Sequence, residues 1–339
     1  MDYSSLPKVE LHLHLDCSMS YDVVTAIKPS VTPEEYRKKF IAPPKCADLA
    51  DYLTRAFHAV ALLQTEEQLR LVTLDLFKQL KADNVIYAEI RFGPMLHTAK
   101  GLTPEQVVRT VNEATEEGVR QTGIQAGLIL STLRHYTEAQ SMQTVELARQ
   151  FRGPGSRVFG FDIAADEAAY PIDNHIRAFQ YAKAHDIPRT AHAGEARGAG
   201  SVWETLENFE PSRLGHGVRS AEDPELLVWL RDNNIHLEVC PTSNVQTNVF
   251  NRIEDHVADL LFRSGISMSI NTDTRTISKV TLEDEYRVLE SVFGWGPEQI
   301  LKCNLEAIDH AFCPPEWKSR IRDRIERAYT AQGGRVDRS

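Results

Sequence analysis

Eight short segments that read as β-strands recur along the chain, and helical stretches separate most of them. The strand readings cover residues 9–16, 85–92, 124–132, 158–165, 188–194, 213–217, 235–241 and 267–273. Helical periodicity fills 66–82, 103–121, 137–150 and 224–233. Strands that alternate with helices pair in parallel through crossover connections. Eight such units predict an α/β fold, a (β/α)8 TIM barrel. The competing architecture, a doubly wound open sheet, carries a glycine-rich turn after its first strand. Here the first strand runs into Asp16, Cys17, Ser18 and Met19, without glycine.

About seventy residues separate the first two strands, more than one crossover needs. Residues 48–63 within them read as an amphipathic helix, so extra helices are expected both there and at the C-terminus. The reading is one barrel over residues 1–339, with a helical insertion at about 25–80 covering its mouth and a frayed tail at 331–339.

A formal charge of −10 and the absence of a basic run argue against a nucleic-acid partner. No apolar run is long enough to span a membrane, and the first residues lack the pattern of a secretory leader. Five scattered cysteines without a CxxC pair predict free thiols rather than a disulfide framework. A cytoplasmic enzyme of small molecules is the expectation, with no membrane or nucleic-acid partner and its oligomeric state open.

Alternate residues of a strand face the same way, so Glu10, His12, His14 and Asp16 share one side of the first strand. Two imidazoles spaced like this can hold one metal ion. An HxH pair is weak on its own, but four polar groups on one face of an apolar strand are costly in a core unless something satisfies them. His192 and Glu195 close the fifth strand, His216 ends the sixth between two glycines, and Asp273 ends the eighth. Each has an ordinary structural explanation; Asp273, for instance, suits a helix N-cap. Together they fall at C-terminal strand ends, which converge on one mouth of a barrel. Imidazoles and a carboxylate suit Zn2+, which activates water for hydrolysis, and a nearby carboxylic acid can donate a proton. The remaining histidines, His97 and His256 among them, lack this placement and read as surface or structural.

These residues resemble the adenosine deaminase family of the amidohydrolase superfamily. The matching strings are LPKVELHLHLD at 6–16, DIAADE at 162–167, HAGE at 192–195, LGHG at 214–217, EVCPTS at 238–243 and SINTD at 269–273. The resemblance implies one zinc ion per chain held by His12, His14, His192 and Asp273. It implies that Glu195 protonates purine N1 and that His216 orients the attacking water and assists its deprotonation. Asp16 would meet a ribose hydroxyl, the N–H of Ala165 would meet purine N3, and Thr274 would face N7. The implied reaction is deamination of adenosine or 2'-deoxyadenosine to the inosine product and ammonia. Strands four and five carry no lysine to bridge a second metal.

The chain departs from the family pattern at four positions: Cys17 and Ala165 stand for glycine, Thr274 for a purine-contacting aspartate, and Arg275 for proline. These leave another 6-aminopurine open, such as adenine, an N6-substituted purine or an aminofutalosine-type nucleoside, with Arg275 near the mouth greeting an anionic group. A nucleoside-sensing barrel without catalysis is the reading from another class; it has no use for both Glu195 and His216. The HxE and PCxxC pattern of cytidine-deaminase-type zinc sites is absent.

Overall fold

The structure, a computed structural model, describes residues 2–331. From the N-terminus, β1 (Lys8–His14) leads into α1 (Tyr21–Ile27), α2 (Pro33–Phe40), α3 (Leu49–Val60) and α4 (Glu66–Ala82). Then come β2 (Val85–Phe92), α5 (Pro104–Thr122), β3 (Gln125–Leu133), α6 (Glu138–Phe151) and β4 (Val158–Ala164). The second half holds α7 (Ile176–Ala184), β5 (Thr190–Ala193), α8 (Ala199–Phe209), β6 (Arg213–His216), α9 (Pro224–Asp232) and β7 (His236–Val239). It continues through α10 (Pro241–Gln246), α11 (Ala258–Arg263), β8 (Met268–Ile270), α12 (Leu282–Phe293), α13 (Pro297–His310) and α14 (Pro315–Ala331).

The strands pair in parallel and in sequence, as β1-β2-β3-β4 and β5-β6-β7-β8. Backbone hydrogen bonds join these two ladders at both seams. His14 N donates to Asp273 O at 2.8 Å and Asp273 N to His12 O at 3.0 Å, while Phe161 N donates to Pro188 O at 3.0 Å. The ring of eight is thereby closed, the barrel that the strand–helix alternation predicts.

Local chemistry fixes the boundaries. Thr103 caps α5 in a capping box with Gln106, Pro104 opens it, and Gly123 ends it at φ 78°. The strands of the second ladder stop earlier than the sequence pattern suggests. Gly194, His216 and Asp273 have φ of 69°, 61° and 62°, outside the pleated region, and Pro241 starts α10. The expected strand ends at 194, 217 and 273 therefore lie beyond β5, β6 and β8, and 241 belongs to α10. That is where the barrel presents side chains at its mouth.

The insertion divides its labour. α4 is the crossover helix on the barrel's outside, with Leu69, Val72, Leu76 and Leu80 in the main core. α3 lies over the mouth, where Leu49, Tyr52 and Leu53 line the same cavity as His14 and Glu195. Helices α12 to α14 follow β8, as expected. The tail expected to fray falls outside the described residues except for Ala331. No described helix is long and apolar enough to cross a membrane.

Candidate active site

The barrel interior is charged below its mouth. Arg91 of β2 donates to Asp162 at 3.1 Å and to Glu238 at 2.6 Å. Arg213 of β6 pairs with Glu89 at 2.6 Å and with Glu238 at 2.8 Å. All five side chains are buried, where unpaired charge would be expensive. The arginines keep Glu238 well below the usual carboxylate range against the opposing effect of burial. The same balance, with His192 and Arg91 opposing burial, brings Asp162 down to about 2.

These carboxylates hold the histidines above them. Glu238 accepts from Nδ1 of His12 at 2.9 Å, and Asp162 from Nδ1 of His192 at 3.2 Å. Each imidazole is thus left with Nε2 toward the centre of the mouth. There Nε2 of His12 and Nε2 of His14 each lie 3.4 Å from Asp273 Oδ1, and Nε2 of His14 lies 3.3 Å from Nε2 of His192. Ser243 donates to the other Asp273 oxygen at 2.6 Å. Gly215 makes the crowding possible, because a Cβ there would sit 2.9 Å from the His12 ring.

Among the described residues, His12, His192 and His216, and also His12, His14 and Asp273, place donor atoms within 4.8 Å of one another. Nε2 of His12 is buried and makes no hydrogen bond. Burial holds His14 at about 3 and lowers His192, so the rings are the neutral bases that metal binding requires. Imidazole nitrogens and one carboxylate, converging in a buried pocket with an orphaned nitrogen, fit a divalent ion such as zinc.

Glu195 follows β5 in a turn that Glu167 clamps. The Glu167 carboxylate accepts from the backbone N–H groups of Gly194 at 2.8 Å, Glu195 at 2.9 Å, Ala196 at 2.6 Å and Arg197 at 3.1 Å. Burial, then the charges of Asp273 and Glu167, raise the Glu195 carboxyl well above its ordinary value, which favours its protonated form. Its Oε2 lies 3.6 Å from Nε2 of His216. Burial and the neighbouring His12 hold His216 well below its ordinary value.

His14, Glu195, His216, Asp273, Thr274 and Ala165 line a small cavity of about 40 Å³ beneath α3. Glu195 also borders a wider vestibule of about 330 Å³ with Asp48, Asp166 and Arg219. Ala165 sits at φ 81°, a conformation that favours the glycine it replaces. The Thr274 hydroxyl meets Tyr52 Oη of α3 and lies 3.1 Å from Ser278 Oγ. Asp16 stands beside His97, whose Nε2 is 3.7 Å from its carboxylate.

Three expectations need correction. Arg275 does not face the mouth: it is buried, donating to Glu10 at 2.7 Å and to Asp83 at 2.9 Å, and can greet no ligand there. Glu10 consequently answers Arg275 rather than the histidine cluster. His97 and His256, set aside on sequence, both border the site: His97 faces Asp16, and His256 reaches His216 through Asn244. Glu167, Asp162, Glu238 and Tyr52 were also missed as supports. Carboxylates within strand segments hinted at Asp162 and Glu238, Glu167 was marked only as the end of the matching string at 162–167, and nothing in the sequence pointed to Tyr52.

The adenosine deaminase family model matches residues 7–328. The chain belongs to the adenosine deaminase family. It is 32% identical to the adenosine deaminase of Clostridium acetobutylicum, covering 95% of this chain and 98% of that one. It is 37% identical to that of Mycobacterium ulcerans, covering 94% of each. Among solved structures it resembles an adenine deaminase from Arthrobacter aurescens (TM-score 0.87, 25% identity, 95% of this chain and 98% of that one). An amidohydrolase from Burkholderia ambifaria with bound Zn shares the fold (TM-score 0.89, 22% identity, 98% and 92%). So does an Arabidopsis ADAL complexed with IMP (TM-score 0.85, 23% identity, 97% and 98%). The chain is a purine deaminase, a metal-dependent hydrolase of this family.

Proposed function

We propose that the protein deaminates adenosine or 2'-deoxyadenosine, giving inosine or 2'-deoxyinosine and ammonia. The observation that carries this reading is the buried Glu195 carboxyl, 3.6 Å from Nε2 of His216 at the rim of the histidine–aspartate cluster. His12, His14, His192 and Asp273 would hold one zinc ion, which when bound acidifies the water that attacks the purine. Glu195 gives its proton to purine N1, so that C6 accepts the nucleophile. His216 keeps the water aimed at C6, and the burial under α3 excludes bulk water.

For the rest of the ligand, Asp16 accepts from a sugar hydroxyl, which favours a nucleoside over a free base. The Ala165 N–H meets N3. Thr274 offers N7 a neutral hydroxyl in place of an acidic proton. That replacement is also what favours the second reading, another 6-aminopurine compound, and the adenine deaminase neighbour keeps it in view.

Ammonia release from adenosine, 2'-deoxyadenosine, adenine, an N6-methylpurine nucleoside and AMP decides between them. Highest kcat/KM on the two unmodified nucleosides is expected. Preference for adenine, an N6-substituted purine or the nucleotide overturns the substrate assignment while leaving the deaminase chemistry intact.

A further inference from the structure

His256 is buried before α11 and lies outside the metal cluster. Its hydrogen bonds form a directed chain. The backbone N–H of Ala258 donates to Nδ1 of His256 at 3.0 Å. A backbone N–H cannot accept, so Nδ1 carries the lone pair, and the proton of this neutral ring is on Nε2. Burial, which lowers His256 to about 3, keeps the ring neutral.

Nε2 of His256 faces Oδ1 of Asn244 at 3.2 Å. With its oxygen committed as acceptor, Asn244 presents its amide Nδ2 on the other side, 3.1 Å from Nδ1 of His216. An amide nitrogen only donates, so Nδ1 of His216 accepts. The remaining proton of neutral His216 is then on Nε2, the nitrogen that faces Glu195 at 3.6 Å.

We infer that His256 and Asn244 are positioning residues that lock His216 in the Nε2–H tautomer, making it a hydrogen-bond donor to the attacking oxygen and not the base that deprotonates it: with a metal bound, that water would already have released its proton to solvent before the substrate seals the site. The inference deepens the proposed deaminase reading and revises the role that family resemblance gives His216. A donor aimed at the nucleophile holds its lone pair toward C6 and stabilises negative charge as it develops on that oxygen. A fixed backbone amide sets the direction of the chain, so the tautomer is determined before substrate arrives. His192 and His12 are fixed in the opposite sense, by carboxylates on Nδ1 that leave Nε2 bare for metal. The mouth thus holds both kinds of imidazole, and what stands behind each ring determines which.

The test is proton–nitrogen NMR of zinc-loaded protein labelled with [15N]histidine, with His216 assigned by its absence in His216→Gln. The expected wild-type spectrum shows His216 protonated at Nε2 and bare at Nδ1. In Asn244→Asp the carboxylate accepts from both rings, so His216 should move its proton to Nδ1. kcat should then fall by about 10–100-fold, the usual effect of removing such a support, with KM and zinc content unchanged. A purely structural role would lower stability or zinc content without moving the proton. If Asn244→Asp fails to fold, His256→Phe serves: it releases the amide and should give a mixture of both tautomers. A wild-type proton on Nδ1, or an unchanged tautomer in whichever variant folds, overturns the inference. The spectra need no substrate, so an enzyme inert toward adenosine but showing the Nε2–H tautomer would refute the substrate assignment alone.

Discussion

The two halves of the barrel differ in how far their strands run. β1 to β4 have 7, 8, 9 and 7 residues, while β5 to β8 have 4, 4, 4 and 3. The long ladder supplies frame: Glu89, Arg91 and Asp162 stand on it and brace what lies across the barrel. The short ladder supplies chemistry, because β5, β6 and β8 stop at or just before Glu195, His216 and Asp273. His216 and Asp273 take left-handed backbone conformations, which cost energy that the surrounding fold must offset. β1 belongs to both, since the seam with the end of β8 sets His12 and His14 beside Asp273. Strand length here is a functional variable: pairing ends where side chains are needed at the mouth.

One substitution in each half separates frame from chemistry. On the short side, Glu195→Gln should lower kcat by about 10²–10⁴-fold while zinc content and melting temperature hold, measured by steady-state kinetics, metal analysis and calorimetry. A variant with full activity removes Glu195 as the acid. On the long side, Glu89→Gln leaves buried Arg213 short of a charge partner and should cost about 3 kcal/mol in urea unfolding. kcat per folded molecule should change little. If Glu89→Gln loses activity but not stability, frame and chemistry are not separable in this way.

A pH dependence sharpens the same division. Glu285 of α12 is buried and accepts from Thr242 N at 3.1 Å, at the start of α10, which carries Ser243 and Asn244. Burial raises its carboxyl to about 8. The folded state therefore keeps a proton that the unfolded chain has released above its lower pKa. Stability from this group is intact below about pH 4.5 and declines as pH rises toward 8. Thermal melts from pH 5 to 9 should show wild type losing stability with pH and Glu285→Gln losing less. Parallel curves would mean that Glu285 does not carry the effect.

Much of the fold was legible because hydrophobic periodicity and barrel alternation act locally. The interval from Val85 to Phe92 and the helix from Glu66 to Ala82 have the ends their sequences suggest. Early stops in the short ladder were hidden, since left-handed His216 and Asp273 look like ordinary strand residues in sequence. Motif residues could be placed at the mouth because barrel geometry brings strand ends together. Their supports were not legible: Asn244 to His256 is a side-chain relay, and Tyr52 reaches Thr274 from a helix 222 residues away. Arg275 was misplaced because its charge suggested exposure, whereas Glu10 and Asp83 satisfy it inside.

The smallest expected effect concerns Ala165. At φ 81° an alanine is strained, and glycine there should recover about 1 kcal/mol of stability, read as a shift in the urea midpoint. A destabilised Ala165→Gly would show that contacts of the methyl group outweigh the backbone strain.

X-ray absorption of the zinc-loaded protein, combined with metal analysis of wild type and His14→Ala, tests the histidine–aspartate site itself. One zinc per chain is predicted, with nitrogen ligands at about 2.0–2.1 Å, oxygen at about 2.0–2.2 Å and no sulfur. Zinc should be lost from His14→Ala. Two metals per chain, a sulfur ligand, or undiminished zinc in His14→Ala would contradict it.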